Sequence, residues 1–97
     1  MKLIEQIEEV KKTVTAYYDK NIAYYGDFNK DERDHIINIG TSILCTKWEI
    51  GYAGGGFVRS FIDNDLMGTL SRADSTCIKA LKFFSVLHYN VGMPQFA

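Results

Sequence analysis

Apolar side chains recur three and four positions apart over the first two dozen residues of the chain. They are Leu3, Ile7, Val10, Val14, Tyr17 and Tyr24, with the polar Asn21 interrupting the series between the two tyrosines and charged residues elsewhere between them. This spacing puts the apolar side chains on one face of an α-helix, so it predicts a long N-terminal amphipathic helix. A seam this regular can pack against other helices of the same chain or against a helix of a second copy.

The rest of the chain shows the same helical periodicity, interrupted by turn-forming residues. We expect a second helix from about Asp31 to Lys47, capped by Asn29 or Asp31. A third helix follows a glycine-rich segment, and a fourth begins after a cap at Ser71 or Asp74. The predicted core positions of these helices are Ile36, Ile39, Ile43, Leu44, Val58, Phe61, Ile62, Leu66, Ile78, Leu81, Phe84 and Leu87.

No run of β-branched residues alternates with period two for long enough to compete with the helical pattern. The prediction is therefore a single all-α domain over residues 1–97, a small bundle of about four helices with a long N-terminal amphipathic helix. A domain of 97 residues has a high ratio of surface to volume, so association into a homo-oligomer is expected to help it.

The charge is nearly balanced, with 12 acidic and 11 basic residues. This balance argues against general nucleic-acid binding, which depends on neutralising phosphates. Cys45 and Cys77 lie in apolar-periodic stretches, as buried thiols do in a reducing compartment. No signal-peptide pattern is present, and no apolar run approaches the roughly 18 residues that span a bilayer. We expect no membrane association and a cytoplasmic location.

A run of glycines carries the strongest hint of a binding site. Gly54, Gly55 and Gly56 lead directly into Phe57 at the start of the predicted third helix. Glycine leaves no Cβ between the backbone and an approaching group, so amides at a helix start can face an anion such as phosphate. The alternative is a tight turn or a close-packing site without a ligand. The pattern matches neither the phosphate loop of kinases nor the dinucleotide-binding fingerprint of dehydrogenases.

Cations and aromatic rings near the glycines could complete such a site. Arg59, Arg72 and Lys79 follow the glycines and could pair with a phosphate, the two arginines being the preferred partners. Tyr52 and Phe57 bracket the glycines, so either ring could stack on a nucleotide base. The sequence therefore predicts a ligand-binding site made of Tyr52, Gly54, Gly55, Gly56, Phe57, Arg59 and Arg72.

Catalytic and metal-binding patterns are missing from the sequence. Asp63 and Asp65 occupy alternate positions of a predicted helix, about 200° apart, and cannot share a substrate. His35 and His88 have no cysteine or histidine at zinc-ligand spacing, and no serine lies in a nucleophile motif. We predict no catalytic residue, no metal site and no cofactor.

Four short motifs form a recognisable series in the second half of the chain. They are Gly54-Gly55-Gly56-Phe57-Val58, Asn64-Asp65-Leu66, Arg72-Ala73-Asp74 and Tyr89-Asn90. Over residues 48–90 this series resembles a pattern shared by a widespread group of small phage-encoded proteins, with Ala53 here in place of the usual proline and Cys77 in place of asparagine. The resemblance implies a phage or prophage accessory protein. Such proteins often counter bacterial defence by masking a protein or sequestering a nucleotide signal.

The leading hypothesis is a non-enzymatic sponge, an all-α homo-oligomer in the host cytoplasm that binds a small nucleotide-derived immune signal. The alternative is an inhibitor in which the first helix and its aromatic end, residues 17–25, mask a host defence protein. A small enzyme that degrades the signal ranks last, because the sequence offers neither a general base nor a metal site.

Overall fold

A computed structural model of the chain describes residues 1–51 and 54–96. Within these residues the secondary structure is helical, without a strand, which confirms the all-α prediction. The helices are α1 (Leu3–Asn21), a 3₁₀ turn (Ile22–Tyr24), α2 (Lys30–Lys47), α3 (Gly56–Ile62), α4 (Leu66–Arg72), α5 (Ser75–Lys79) and α6 (Leu81–Asn90). The prediction of about four helices was wrong, because the described residues form six α-helices.

The long helices α1 and α2 form an antiparallel pair. Near the turn that joins them, Asp19 of α1 pairs with Arg33 of α2 at 3.1 Å. Gly40, in the middle of α2, faces Val14, so the two helices run in opposite directions. Asn29 caps α2 by accepting a hydrogen bond from the Glu32 amide, and the Glu32 carboxylate accepts one from the Asn29 amide. This reciprocal capping box confirms one of the two predicted caps and fixes where α2 begins.

Each of the last two predicted helices is divided in the structure. Asn64 adopts a left-handed conformation with φ 59°, which ends α3, and the Asp65 carboxylate then accepts a hydrogen bond from the Gly68 amide to begin α4. Asp74 caps α5 in the same way through the Cys77 amide. A single residue, Ala80, separates α5 from α6.

These breaks change which side chains reach the core. Ile78 was predicted to be buried but is 46% exposed, since it belongs to the short α5. Leu66 begins α4 rather than completing α3, and it is 60% exposed.

Two adjacent aromatic residues of α6, Phe83 and Phe84, occupy the centre of the core and are fully buried. The Phe83 ring contacts the rings of Tyr17 and Tyr18 on α1, and the Phe84 ring contacts Phe57 on α3. Burying a phenylalanine side chain stabilises a fold by about 1.5–3 kcal/mol. This pair therefore ties α6 to both α1 and α3.

None of the helices in the described part of the chain combines the length and the apolar character needed to cross a lipid bilayer.

Candidate functional site

Gly54 is buried and serves packing. A Cβ placed on Gly54 would lie 2.5 Å from Val58 Cγ1 and 2.8 Å from Ser42 Oγ. The Gly54 amide already donates a hydrogen bond to Thr46 Oγ1 at 3.0 Å. The approach of α2 to α3 thus accounts for this glycine without a ligand.

Gly55 and Gly56 have different surroundings. Gly55 caps α3 in an extended conformation without a side-chain hydrogen bond, and a Cβ there would meet no atom within 4 Å. A Cβ on Gly56 would lie 2.9 Å from Cδ of Arg72, so the arginine side chain crosses this residue. The structure therefore brings Arg72 to the start of α3, where the sequence predicted it would help to hold an anion.

Arg72 already has polar partners in this position. Its Nη1 donates a hydrogen bond to the buried Ser60 Oγ at 2.7 Å and lies 4.0 Å from the Asp65 carboxylate. A phosphate at this position would have to compete with that carboxylate for the guanidinium. The Arg59 side chain is exposed on α3.

Of the two aromatic residues predicted for this site, the structure describes Phe57. Phe57 is buried, and its ring packs against Phe61 and Phe84 in the core. Tyr52 lies outside the described residues. A stacking partner for a base near the glycines would therefore have to come from another residue than Phe57.

An open cleft lies between α3, α4 and α6. Its volume is about 720 Å³, which falls within the range of small-molecule sites. The cleft is lined by Phe61, Asn64, Leu66, Thr69, Leu81, Lys82, Ser85, His88 and Tyr89. Apolar walls with a few polar groups at the rim are the usual composition of such sites.

The polar groups of this cleft suit an anionic ligand. Among the described residues that line it, Lys82 supplies a positive charge and no aspartate or glutamate is present. Tyr89 is 87% exposed, so its ring is accessible for stacking. His88 packs edge-on against Phe61, with ring centroids 5.8 Å apart. Burial, and then the charge of Lys47, lower the pKa of His88, so the imidazole is mostly neutral at pH 7.

Sequence reasoning missed the cleft because its lining comes from three separate helices. One signal was available: Lys82, Ser85 and Tyr89 lie three and four positions apart in the fourth predicted helix. They form a polar stripe beside the buried Phe83 and Phe84. The stripe includes the ring of Tyr89, which lies outside the core. An exposed tyrosine on such a stripe is a useful indicator of a binding face.

The aromatic end of the first helix, predicted as a surface for a host protein, is largely part of the core. Tyr18 is buried, and the rings of Tyr17, Tyr18 and Tyr25 all contact Phe83. Tyr24 differs from these three and is 81% exposed.

A third group of side chains joins α2 to α5. His35 Nε2 lies 2.7 Å from Asp74 Oδ2 and 3.9 Å from Cys77 Sγ. The hydrogen bond from the Cys77 amide, followed by the bond to His35, lowers the pKa of Asp74. Burial, with a further contribution from the Asp74 carboxylate, raises the pKa of the Cys77 thiol to about 12.

Comparisons of this chain with protein-family models, with curated proteins and with solved structures gave no match.

Proposed function

We propose that this chain is a non-enzymatic binding protein that sequesters a small nucleotide-derived signal, as a phage-encoded anti-defence protein in the host cytoplasm. The observation that carries this proposal is the cleft between α3, α4 and α6, which combines a cation, an exposed aromatic ring and apolar walls. These three features match the phosphate, the base and the sugar edges of a nucleotide.

Lys82 is the proposed partner of a phosphate. Lys82 lines the cleft, and the described lining residues include no carboxylate that would compete with a phosphate for its charge. A charge-assisted hydrogen bond of this kind contributes about 1.5–3 kcal/mol. Arg72 is less well prepared for the same role, because Ser60 and Asp65 already surround its guanidinium.

Tyr89 is the proposed stacking partner of a base. It takes the stacking role that was predicted for Tyr52 or Phe57, of which Phe57 is buried. Stacking of a base on an aromatic side chain contributes about 1–3 kcal/mol. Ser85 and Asn64 are hydrogen-bonding groups of the same cleft and could position the ligand without reacting with it.

Native mass spectrometry tests this function directly. The purified protein is incubated with cyclic dinucleotides, cyclic oligonucleotides and ADP-ribose-type nucleotides, and the bound ligand is recovered after denaturation. We expect one compound to add to the protein and to be released with unchanged mass. A ligand that is recovered as a cleavage product would contradict a non-enzymatic role, and uptake of none of these nucleotides would contradict nucleotide sequestration.

Four variants locate the site once a compound binds. We expect Lys82→Ala to weaken binding about tenfold or more and Tyr89→Ala to weaken it about fivefold or more. The matched controls are Arg59→Ala and Arg72→Ala beside the glycines, which should keep an affinity close to that of the unmodified chain. The reverse result would move the ligand to the glycine segment that the sequence indicates.

A second candidate function is inhibition of a host defence protein by direct contact. The apolar residues Leu66 and Met67 at the start of α4 are 60% and 74% exposed, which favours a protein-contact surface there. The same surface could support a homo-oligomer, whose mass the native spectrum would report. Capture of a host protein at fixed stoichiometry that is lost in Met67→Glu and retained in Lys82→Ala would favour this function over the sponge.

A further inference from the structure

We propose that His35, Asp74 and Cys77 form a binding site for a divalent transition metal ion of the zinc type. The three residues come from two helices: His35 lies on α2, Asp74 caps α5, and Cys77 lies in the first turn of α5. Each residue offers one ligand atom, and these three atoms all lie within 4.8 Å of one another.

The distances are close to those of a tetrahedral site. Zinc binds nitrogen, oxygen and sulfur at about 2.0–2.3 Å, so two ligand atoms of one tetrahedral ion lie about 3.3–3.8 Å apart. His35 Nε2 and Cys77 Sγ are 3.9 Å apart, close to this range. His35 Nε2 and Asp74 Oδ2 are 2.7 Å apart because they now share a hydrogen bond, and they must separate by less than about 1 Å to admit an ion.

The hydrogen bonds around Asp74 suit coordination without loss of the helix cap. Its Oδ1 accepts from the Cys77 amide at 2.8 Å, whereas Oδ2 faces His35. The carboxylate can therefore bind an ion through Oδ2 while Oδ1 still caps α5. The same hydrogen bond fixes the backbone of Cys77, whose Sγ lies within 4.8 Å of the other two ligand atoms.

The ligand types select the class of metal. Thiolate and imidazole suit zinc and cobalt, whereas magnesium and calcium prefer oxygen ligands. Cys77 is 2% exposed, but His35 and Asp74 have solvent-accessible side chains, so an ion can enter and water can fill a fourth position. On binding, the Cys77 thiol proton leaves for solvent, and His35 binds as a neutral imidazole that carries its ring proton on Nδ1, so that the Nε2 lone pair faces the ion.

Sequence spacing could not indicate this site. His35 and Cys77 are 42 positions apart, and the packing of α5 on α2 brings them together. A neighbouring ion pair, Lys79 with Glu32 at 3.3 Å, joins the same two helices. The proposed ion would replace the His35–Asp74 hydrogen bond and act beside this ion pair as a second polar link between α2 and α5.

The test is titration of the reduced, metal-free full chain with Co²⁺ alone. We expect one ion per chain, visible ligand-field bands of a four-coordinate site, and a near-ultraviolet charge-transfer band from the thiolate. Zn²⁺ should displace the cobalt and raise the melting temperature. Absence of the charge-transfer band at saturating Co²⁺ would overturn the proposal.

The chain contains its own matched controls, because it has two histidines and two cysteines. We expect Cys77→Ala to abolish the charge-transfer band, and His35→Gln to weaken cobalt binding by more than the roughly tenfold loss typical of removing an outer-sphere partner. Cys45→Ala and His88→Gln should leave the spectrum unchanged. If Cys77→Ala does not fold, the partly exposed His35→Gln still decides: an unchanged spectrum and affinity in that variant would overturn the site.

Discussion

The glycine segment at the start of α3 and the cleft between α3, α4 and α6 are built in opposite ways. The segment is continuous in sequence, and its first glycine is used for packing against Val58. The cleft is assembled from three helices, and no short motif indicates it. A conspicuous motif can thus serve the fold, while the space for a ligand comes from residues that are dispersed in sequence.

Substitution of Gly54 should give the largest change in the free energy of unfolding. Comparison with its neighbour Gly55 tests whether the glycine segment serves packing. Gly54→Ala is expected to destabilise the protein by about 1–3 kcal/mol, since the new Cβ would overlap Val58. Gly55→Ala adds a Cβ in open space, so its effect should stay within about 0.5 kcal/mol. Urea denaturation measures both values.

Equal changes in the free energy of unfolding for Gly54→Ala and Gly55→Ala would contradict the difference between a packed glycine and an open one. If both variants kept full stability but lost affinity for the nucleotide, the segment would be a ligand site. That result would contradict the proposal that the nucleotide binds in the cleft.

Removal of the α4 cap should have a smaller effect and tests the wall of the cleft. Asp65→Ala is expected to cost about 1 kcal/mol, because the Gly68 amide loses its acceptor. Asp65→Asn should restore most of this loss, since an asparagine side chain caps almost as well. Asp63→Ala, at an exposed position two residues earlier, is the matched control and should change little.

Circular dichroism during urea denaturation measures these differences. Equal losses for Asp63→Ala and Asp65→Ala would show that the charge of this segment matters rather than the cap. The nucleotide affinity of Asp65→Ala is informative as well. It should fall along with the stability, because Leu66 and Thr69 on α4 line the cleft.

The long helices could be predicted from the sequence, and the short ones could not. Apolar residues recur at helical spacing through α1 and through α2 from Ile36 onward, so the existence of both helices follows from spacing, while the Asn29 cap sets where α2 begins. The end of α3 depends on the left-handed conformation of Asn64, which the apolar spacing does not reveal. The break at Ala80 has no local signal at all, since alanine is a strong helix former.

The candidate site was predictable only in part, for the same reason. Arg72 lies close to Gly56 because α4 packs back against α3. The sequence predicts both residues as parts of one site. The burial of Phe57 depends on how α3 meets α6, because its ring packs on Phe84. Such contacts between distant segments are set by tertiary packing, which periodicity in a single chain does not encode.

The pH dependence of stability should give the smallest effect and tests the electrostatics of the cleft. Burial and the charge of Lys47 lower the pKa of His88 in the folded state, whereas the unfolded chain keeps the ordinary value of 6.5. The unfolded state therefore takes up a proton first, and the protein loses stability as the pH falls below about 6.5 toward the folded-state pKa. We expect His88→Gln to lose less stability than the unmodified chain between pH 7.5 and pH 5.5, and NMR titration of the His88 ring to give a pKa below 6.5.

A bound phosphate in the cleft would oppose this shift in the His88 pKa, because an anion near the ring favours the imidazolium. The His88 pKa should therefore rise when the nucleotide binds, and a pKa that stays the same at saturation would place the ligand away from the cleft.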